Sequence, residues 1–569
     1  MRAEASLVRP MTGAGRGRVD LFRTGLIAAA ALVSAVVVYP IVRLVLYVVT
    51  LVGDSAALLV WRQPGIGAVV ANTVLLVTAS SVISVTGALL LAWCNERTDA
   101  RISFLAGSVP IFPLLMPAIS GTIGWTFMLS PSAGFINVAL RRLLLDFGIE
   151  SDSGPLSIFG WTGLILLSTS YLIPYAYVII AAAFRNVDPG LDEASRVCGR
   201  GVWYTLLRVT VPSIFPAIGS AFFVVVVVSA ALFSIPVILG TASGIEVLSV
   251  RIVHLTTSYP PQIGPAVVLS LGLMLLLSGL SAGQARLSSL GQAMLGGRSF
   301  APKPVALGRA CGPIRAIIVS YVLLTSVVPL AGVVIVSLEP FWSADIAIMH
   351  WGLANYRSIF IDDPLLFDAF RRSVLLAFAS ATAGMVVSLI LTLFASEEFP
   401  GGRRLVGAIV SLPAALSHIV IAVGFILAFS GPPFAIGGTS LILFLAYLVL
   451  YLPQSYSAAH SAYSQVGSDL VEMSRVSGAG RLATLRDVQL PLLIPGLLAG
   501  WILLFVLAMA DLTASVMLAG TNNSVLGSTM LELYENGTYP QLAALAVVMT
   551  LVSTALVSAV IWLADTRKF

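Results

Sequence analysis

Four polar residues lie inside long apolar stretches of the sequence, where they could contact a polar solute crossing a membrane. They are Ser120, Ser417, His418 and Asp511. A charged side chain costs about 3 kcal/mol at the centre of a bilayer, so such residues mark pathways, gates or buried partners. Asp511 and His418 are therefore candidate pathway or gate residues. The alternatives are hydrogen bonding inside a helix bundle and, for Asp511, a place near the outer interface. Ser120 and Ser417 are candidates for polar lining.

Residue types that catalyse reactions are present, but not at spacings that would let them work together. A phosphate-binding loop needs a lysine between Gly and Ser or Thr, and the two lysines, Lys303 and Lys568, stand in other contexts. The sequence contains no hydrolytic triad, zinc signature or dinucleotide fingerprint, and its three cysteines lack metal-ligand spacing. We therefore predict no catalytic residues, no metal and no cofactor on this chain.

One 24-residue segment occurs twice, and its most distinctive residues are shared. Residues 193–216 read EASRVCGRGVWYTLLRVTVPSIFP, and residues 472–495 read EMSRVSGAGRLATLRDVQLPLLIP, at an offset of 279. The identical pairs include Glu193/Glu472, Ser195/Ser474, Arg196/Arg475, Gly199/Gly478, Gly201/Gly480, Pro212/Pro491 and Pro216/Pro495. A shared pattern of this length exceeds chance, so the chain is predicted to consist of two related halves.

The spacing inside each copy predicts a helix–turn–helix. In the first copy an Asp-Pro-Gly turn at 188–190 is typical of a helix start, and Gly199 permits a sharp turn. A second short helix is predicted at 202–210 and should end at Pro212. A solvated connecting loop needs no such order, so we expect both copies to dock on another protein.

The elements that must position these residues are membrane-spanning helices. Of the 569 residues 58% are hydrophobic and 10% are charged, whereas about a quarter of the residues of a soluble protein are charged. Twelve apolar stretches are long enough to cross about 30 Å of hydrocarbon. They lie near 24–49, 67–94, 104–129, 157–184, 213–239, 262–285, 314–338, 370–396, 405–430, 438–461, 492–518 and 541–564. The predicted fold is an all-α integral membrane protein with twelve transmembrane helices in two parallel six-helix repeats.

Most of the 31 basic residues fall on one side of this topology, the side that also holds both repeated segments. Because Lys and Arg accumulate on the cytoplasmic side, both termini and both repeated segments are predicted to be cytoplasmic. The basic residues are dispersed, so the net charge of +5 does not indicate nucleic-acid binding. The predicted halves and their docking loops are 1–300 with 186–212, and 301–569 with 465–491.

Weaker matches extend the repeat on either side of the docking loops. Residues 73–76 resemble residues 373–376 at offset 300, and Pro117-Ala118 resembles Pro413-Ala414 at offset 296. The decrease from 296 to 279 predicts that the outer loop of the first half, at 130–156, is the longer one. Pro117 and Pro413 are predicted to kink equivalent third helices.

The repeated pattern resembles the EAA loop of binding-protein-dependent ABC importer permeases. It is carried by Glu193, Ala194, Ser195, Arg196 and Gly199, and by Glu472, Met473, Ser474, Arg475 and Gly478. The resemblance implies that each loop forms a coupling helix that inserts into a groove of a cytoplasmic ATPase. The Glu would meet basic residues of the ATPase, and the Gly would make the turn. Met473 departs from the usual Ala, which affects packing only.

The same resemblance implies partners. A homodimer of a separate ABC ATPase would bind ATP and magnesium, and an extracytoplasmic binding protein would deliver the solute. One copy of this chain would complete the pathway in the lipid bilayer of the bacterial inner membrane.

The length of the single chain makes it resemble the fused permeases of ferric-iron and thiamine systems. The stretch 511–518, with the segment 531–548, resembles the ferric-iron type. Ferric iron is therefore the expected substrate, with thiamine, polyamine, aminoethylphosphonate or another small anion as alternatives. The alternative class is an ion-coupled secondary transporter, which depends on intramembrane carboxylates.

Overall fold

The computed structural model describes residues 21–51, 60, 63–102, 113, 116–295, 304–343, 351–396 and 402–566. Both chain termini, Lys303, Lys568 and most of the start of the predicted third span lie outside these residues. The helices of the first half are α1 Leu21–Leu51, α2 Ile66–Arg97, α3 Ala118–Leu129, α4 Phe135–Asp146, α5 Trp161–Asn186, α6 Pro189–Val197, α7 Val202–Ser213, α8 Phe215–Ala231, α9 Leu248–Thr257 and α10 Ile263–Leu295.

The second half follows the same order of spans. It has no helix equivalent to α4 between its third and fourth spans, and several of its spans are divided into shorter helices. Its helices are α11 Gly308–Ser337, α12 Ala354–Arg357, α13 Pro364–Ser396, α14 Gly402–Ala414, α15 His418–Phe429, α16 Ser440–Leu450, α17 Leu452–Ser464, α18 Ser468–Val476, α19 Arg481–Met509, α20 Thr513–Leu518, α21 Leu526–Glu535 and α22 Tyr539–Thr566. The described residues contain no β-strand, only an isolated bridge between Thr98 and Val305. The prediction of an all-helical membrane protein is confirmed.

Eight helices are long and apolar enough to cross a membrane, and three bent helix pairs raise the number to eleven if each pair is one span. Of the predicted third span, the structure describes mainly the 12-residue helix α3. The count of twelve therefore stays a prediction.

The two third spans differ from the kinked helices that the prolines predicted. Pro413 lies in the last turn of α14, and the chain then bends by 102° into α15. Pro117 lies just outside α3 as its N-cap residue, so it starts that helix. The ring restricts the residue before it and removes one N–H donor, which ends a helix as readily as it bends one.

The helix bounds also correct the repeat register. α3 and α15 begin at residues 118 and 418 and end at 129 and 429, an offset of 300. Pro117 is therefore equivalent to Ser417, and Pro113 to Pro413. The offset falls by 21 over the outer loop, not by 17, because this loop of the first half contains the additional helix α4.

Each half packs its first span against the third span of the other half. α1 lies on α15 and α11 lies on α3. Glycines permit both contacts: a Cβ on Gly124 would lie 2.2 Å from the Pro329 carbonyl oxygen, and one on Gly424 would lie 3.1 Å from that of Pro40. The equivalent pairs of glycine and proline bring the backbones together at two related places on the seam between the halves.

Gly124→Ala is expected to weaken this seam. The added methyl group must displace backbone in α11, and overpacking of this kind costs about 1–3 kcal/mol. Gly121→Ala is the matched control, because it lies in the same helix and its Cβ would meet, among the described residues, only the Met116 sulfur at 3.9 Å. Thermal unfolding of both variants in detergent measures the difference, and equal midpoints would contradict the close packing.

Candidate functional site

The first docking loop is a helix–turn–helix, as its residues predict. Asp188 caps α6 by accepting a hydrogen bond from the Gly190 amide at 2.8 Å. Gly199 has φ +76°, a left-handed conformation that glycine adopts without the steric cost of a side chain. The Ser195 and Thr205 hydroxyls lie 2.8 Å apart and join the two helices of the loop.

The second docking loop has the same geometry. α18 ends before Gly478, which has φ +87°, and α19 begins at Arg481. The Ser474 and Thr484 hydroxyls lie 3.0 Å apart. The serine of the repeated pattern therefore makes the same bridge in both halves, which explains its presence in both copies without a direct role in docking.

The prediction that Pro212 and Pro491 end the second helix of each loop is wrong. A π-helical turn precedes each proline, in which the Val211 amide pairs with the Leu206 carbonyl and the Leu490 amide with the Leu485 carbonyl. A π turn contains one extra residue, which shifts the hydrogen-bond register just before the proline, so the helix can continue through it. The first copy instead breaks at Ile214, where the chain bends by 73°, and the second copy continues unbroken to the end of α19.

Both loops expose apolar side chains that no part of the described chain covers. Val197 and Val476, at equivalent positions, are each 88% exposed. Glu193 and Glu472 are also exposed, one turn before them on the same short helices. Apolar side chains beside a carboxylate on a protruding helix are typical of a protein-docking surface.

The structure brings the two ionisable candidates of the pathway together. The His418 Nδ1 lies 3.1 Å from the Asp511 Oδ1, and the Tyr451 hydroxyl donates to the same oxygen at 3.1 Å. A carboxylate accepts hydrogen bonds, so His418 donates from Nδ1. The Asp511 side chain is 2% exposed, whereas that of His418 is 37% exposed. His418 thus lies between the buried Asp511 carboxylate and the accessible surface of the described chain.

Asp511 also starts a helix. Its Oδ2 accepts from the backbone amides of Ala514 at 2.9 Å and Ser515 at 3.1 Å, the first free amides of α20. Four donors therefore satisfy one carboxylate, as burial of an acidic group requires.

Breaks in three different spans meet at this cluster. His418 opens α15 after the 102° bend, Tyr451 separates α16 from α17 at a bend of 52°, and Asp511 lies between α19 and α20. Interrupted helices leave backbone groups unpaired, which a membrane protein tolerates only where protein or a polar cavity satisfies them. The convergence of the three breaks marks a candidate pathway site in the second half.

The equivalent positions of the first half, all among the described residues, form no such cluster. At the corrected offsets, Ala118 stands in place of His418, Leu172 in place of Tyr451 and Leu232 in place of Asp511. Leu172 and Leu232 are buried. The three polar residues of this candidate site are therefore specific to the second half.

The two serine candidates differ. The Ser417 hydroxyl accepts from the Val420 amide at 3.2 Å and caps α15, directly before His418. Ser120 is fully buried in α3, and its hydroxyl oxygen has no partner among the described residues. Ser417 thus positions the cluster through its helix, and Ser120 stays a prediction.

A cavity of about 250 Å³ opens at the end of the bundle opposite the docking loops, between the halves. α8 leads to this end over about 26 Å. The polar lining consists of His254 and Thr257 on α9 and of Ser528, Glu532 and Glu535 on α21. Both glutamates are exposed. We call this cavity the acidic mouth, because two carboxylates belong to its polar lining.

Tyr534 joins the halves beside this mouth. Its hydroxyl donates to the Ile238 carbonyl across the seam at 3.4 Å. Burial raises the pKa of this phenol to about 12, so it keeps its proton at neutral pH.

Sequence reasoning missed Tyr451, Glu532 and Glu535 as site residues. Tyr451 lies in an apolar run in which an aromatic residue is ordinary, and the two glutamates lie between spans in which acidic residues are common. One available signal was the pair Glu532 and Glu535, because glutamates three residues apart share one face of a helix.

Comparison with known proteins agrees with this arrangement. The family model for "Binding-protein-dependent transport system inner membrane component" matches twice, over residues 84–285 and 384–566. Each match contains one docking loop and lies within one predicted half.

Among curated proteins the chain is 24% identical to the ferric transport system permease protein FbpB of Actinobacillus pleuropneumoniae, over 88% of this chain and 72% of that protein. It is 28% identical to the spermidine/putrescine permease PotC of Haemophilus influenzae, over 36% of this chain and 77% of that protein. It is 24% identical to the putative 2-aminoethylphosphonate permease PhnV of Salmonella typhi, over 40% of this chain and 86% of that protein.

Proposed function

Because the chain belongs to the family of binding-protein-dependent transport system inner membrane components, we propose that it forms the whole translocation pathway of a ferric-iron importer. It is a multi-pass membrane permease and a transport subunit, with two family copies fused in one polypeptide. The observation that supports iron is the coverage of the relatives. The ferric permease matches over 88% of the chain, and so over both halves, whereas the polyamine and aminoethylphosphonate permeases match over 36% and 40% of it, with 77% and 86% of their own length covered.

The energy would come from a separate ABC ATPase. Two docking loops of the same shape require two similar partners, so we infer an ATPase homodimer that binds ATP and magnesium. Glu193 and Glu472 would face its basic residues, with Ala194, Met473, Arg196 and Arg475 around them. This assignment places both loops and both chain termini in the cytoplasm.

The opposite end of the bundle would receive the solute from an extracytoplasmic binding protein. The acidic mouth suits a small, highly charged cation, since carboxylates lining a cleft raise the local concentration of cations. From there the solute would pass the cluster of His418, Tyr451 and Asp511, which is the candidate gate.

Reconstitution tests the proposal directly. The permease is purified with its ATPase, placed in liposomes and supplied with the binding protein loaded with radioactive ferric iron. We expect uptake that requires ATP and binding protein. Uptake of thiamine, spermidine or aminoethylphosphonate instead of iron would show that this compound is the substrate and that the iron assignment is wrong. Uptake driven by a proton gradient, without any ATPase, would overturn the importer class in favour of a secondary transporter.

Neutralising the acidic mouth is expected to slow iron uptake. The double variant Glu532→Gln and Glu535→Gln removes two carboxylates from the cavity and should reduce the initial rate about tenfold at low salt, because electrostatic attraction contributes factors of this size. Glu150→Gln is the matched control, since Glu150 is exposed on the outer loop of the first half, outside the cavity. An equal effect of the control, or none in the double variant, would contradict an entrance at this place.

A further inference from the structure

Arg97, the last residue of α2, is buried at the end of the bundle that carries the docking loops. Its guanidinium donates to the Asp192 Oδ2 at 2.5 Å and to the Val187 carbonyl at 3.1 Å. The side chains of Arg97 and Asp192 are 5% and 12% exposed. An ion pair so well shielded from water holds its geometry far better than a surface pair.

Asp192 belongs to the short helix α6 of the first docking loop. Its second oxygen, Oδ1, accepts from the Thr210 hydroxyl at 2.9 Å. Thr210 lies in α7, which leads into the next span. One carboxylate thus joins the docking helix to the end of α2 and to the helix that follows it, α7.

The connection between the two halves is held at the same point. The Val305 amide donates to the Arg97 carbonyl at 2.8 Å, and the Asp99 amide donates to the Val305 carbonyl at 3.1 Å. The Arg315 guanidinium, in α11, donates to the Asp99 carbonyl at 2.7 Å. The first span of the second half therefore starts against the residues that hold the first docking loop.

The second docking loop is built without this joint. Val471 stands in place of Asp192, and Gln489 stands in place of Thr210. The counterpart of Arg97 at offset 300 is Glu397, which lies outside the described residues. A valine accepts no hydrogen bond, so this pair of positions cannot form an ion pair whatever surrounds it. The bridge that both loops share is the one between serine and threonine.

We propose that Arg97 and Asp192 are positioning residues that make the first docking loop a rigid part of the membrane bundle, through an ion pair that the equivalent position of the second loop, Val471, cannot form. This inference rests on the proposed function in one respect: movement of an ATPase would be transmitted more directly through the first loop. The two ATPase copies, although identical, would then transmit their movements to the membrane bundle unequally.

Hydrogen exchange on the purified full-length chain, without any ATPase, tests the joint itself. Amides of 190–197 are expected to exchange about tenfold or more slowly than those of 469–476, because opening α6 requires breaking a buried ion pair. Asp192→Val, which installs the residue of the second loop, should remove the difference. Exchange that Asp192→Val leaves unchanged would overturn the proposal.

Two controls separate the ion pair from other differences between the loops. Asp188→Gly removes the side-chain cap of α6, which α18 lacks because Gly467 precedes it. This variant should account for only a minor part of the protection. Val471→Ala truncates the equivalent position of the second loop and should alter exchange in neither loop. If Asp188→Gly alone abolished the difference, the cap and not the ion pair would hold the loop.

Transport measurements then separate this inference from the proposed function. In the reconstituted complex, Asp192→Asn should lower iron transported per ATP hydrolysed about fivefold, with the ATPase still bound, and Asp192→Glu should restore part of it. If residues 190–197 exchange more slowly than 469–476 as expected, but the unaltered protein shows no ATP-driven transport, the proposed function is contradicted. The role of Arg97 and Asp192 is then still supported. If Asp192→Asn transports iron with full coupling to ATP hydrolysis, only the unequal contribution of the two loops to coupling is contradicted.

Discussion

Reversing the charge at both Glu193 and Glu472 is expected to abolish ATP-driven transport while the chain still inserts into the membrane. Both carboxylates are exposed on short helices that protrude from the bundle, so both positions have room for the longer arginine side chain. In the complex, each arginine would face basic residues of the ATPase. Removing one partner of a buried charge pair at an interface costs about 2–5 kcal/mol, and a like charge there costs more.

Two such losses predict a fall in transport of at least about a hundredfold. The measurements are uptake into liposomes and co-purification of the ATPase. Arg404→Glu is the matched control, because it reverses an exposed charge of α14 on the predicted cytoplasmic side, outside both docking loops. Normal transport in the double variant would refute the assignment of these loops to ATPase docking.

Each single variant adds information. If the two loops contribute equally to docking, Glu193→Arg and Glu472→Arg should weaken ATPase binding by similar factors. Their effects on coupling should differ, since Arg97 ties the first loop to the bundle through Asp192, whereas the second loop has Val471 at the equivalent position. Binding and coupling are therefore measured separately for each variant.

Asp511→Ala is expected to be the most destabilising single substitution in the second half. It removes an acceptor that serves His418, Tyr451 and two amides of α20, and leaves the Ala514 and Ser515 amides without this acceptor in a buried place. Breaking a buried, charged hydrogen-bonded group in this way costs about 3–5 kcal/mol. Thermal unfolding in detergent should show the loss as a clearly lower midpoint than that of the unaltered chain.

Asp511→Asn distinguishes a pathway role from a purely structural one. The amide keeps the shape and one acceptor oxygen, so stability should fall by no more than about 1–2 kcal/mol. Iron uptake should nevertheless fall about tenfold, because a neutral group attracts a cation far less than a carboxylate does. Tyr451→Phe is the matched control, since it removes one hydrogen bond to Asp511 and keeps the charge. Full transport by a folded Asp511→Asn protein would leave Asp511 with the structural role alone.

The docking loops were predicted in detail because their signals act over a few residues. An Asp-Pro-Gly turn, a glycine at the bend and a repeated serine determine local geometry wherever the segment lies. The end of the second helix was predicted wrongly because a π turn before Pro212 and Pro491 absorbs the missing donor. Such a turn has no distinct signal in the sequence.

The register of the repeat shows a different limit. Pro117 and Pro413 match as letters at offset 296, yet the equivalent close contacts of Gly124 on Pro329 and of Gly424 on Pro40 align the two third spans at offset 300. Contacts between backbones distinguish the two registers, and short identities do not.

The amino-acid sequence by itself determined the membrane class, the two related halves and the shape of each docking loop, since hydropathy, repetition and turn residues are local properties of the chain. Only the tertiary structure decided that His418, Tyr451 and Asp511 form one cluster, and that Arg97 joins one docking loop to both halves. The reason is physical: helix breaks and buried charges acquire their roles from the partners that packing brings to them, and those partners lie tens to hundreds of residues away along the chain.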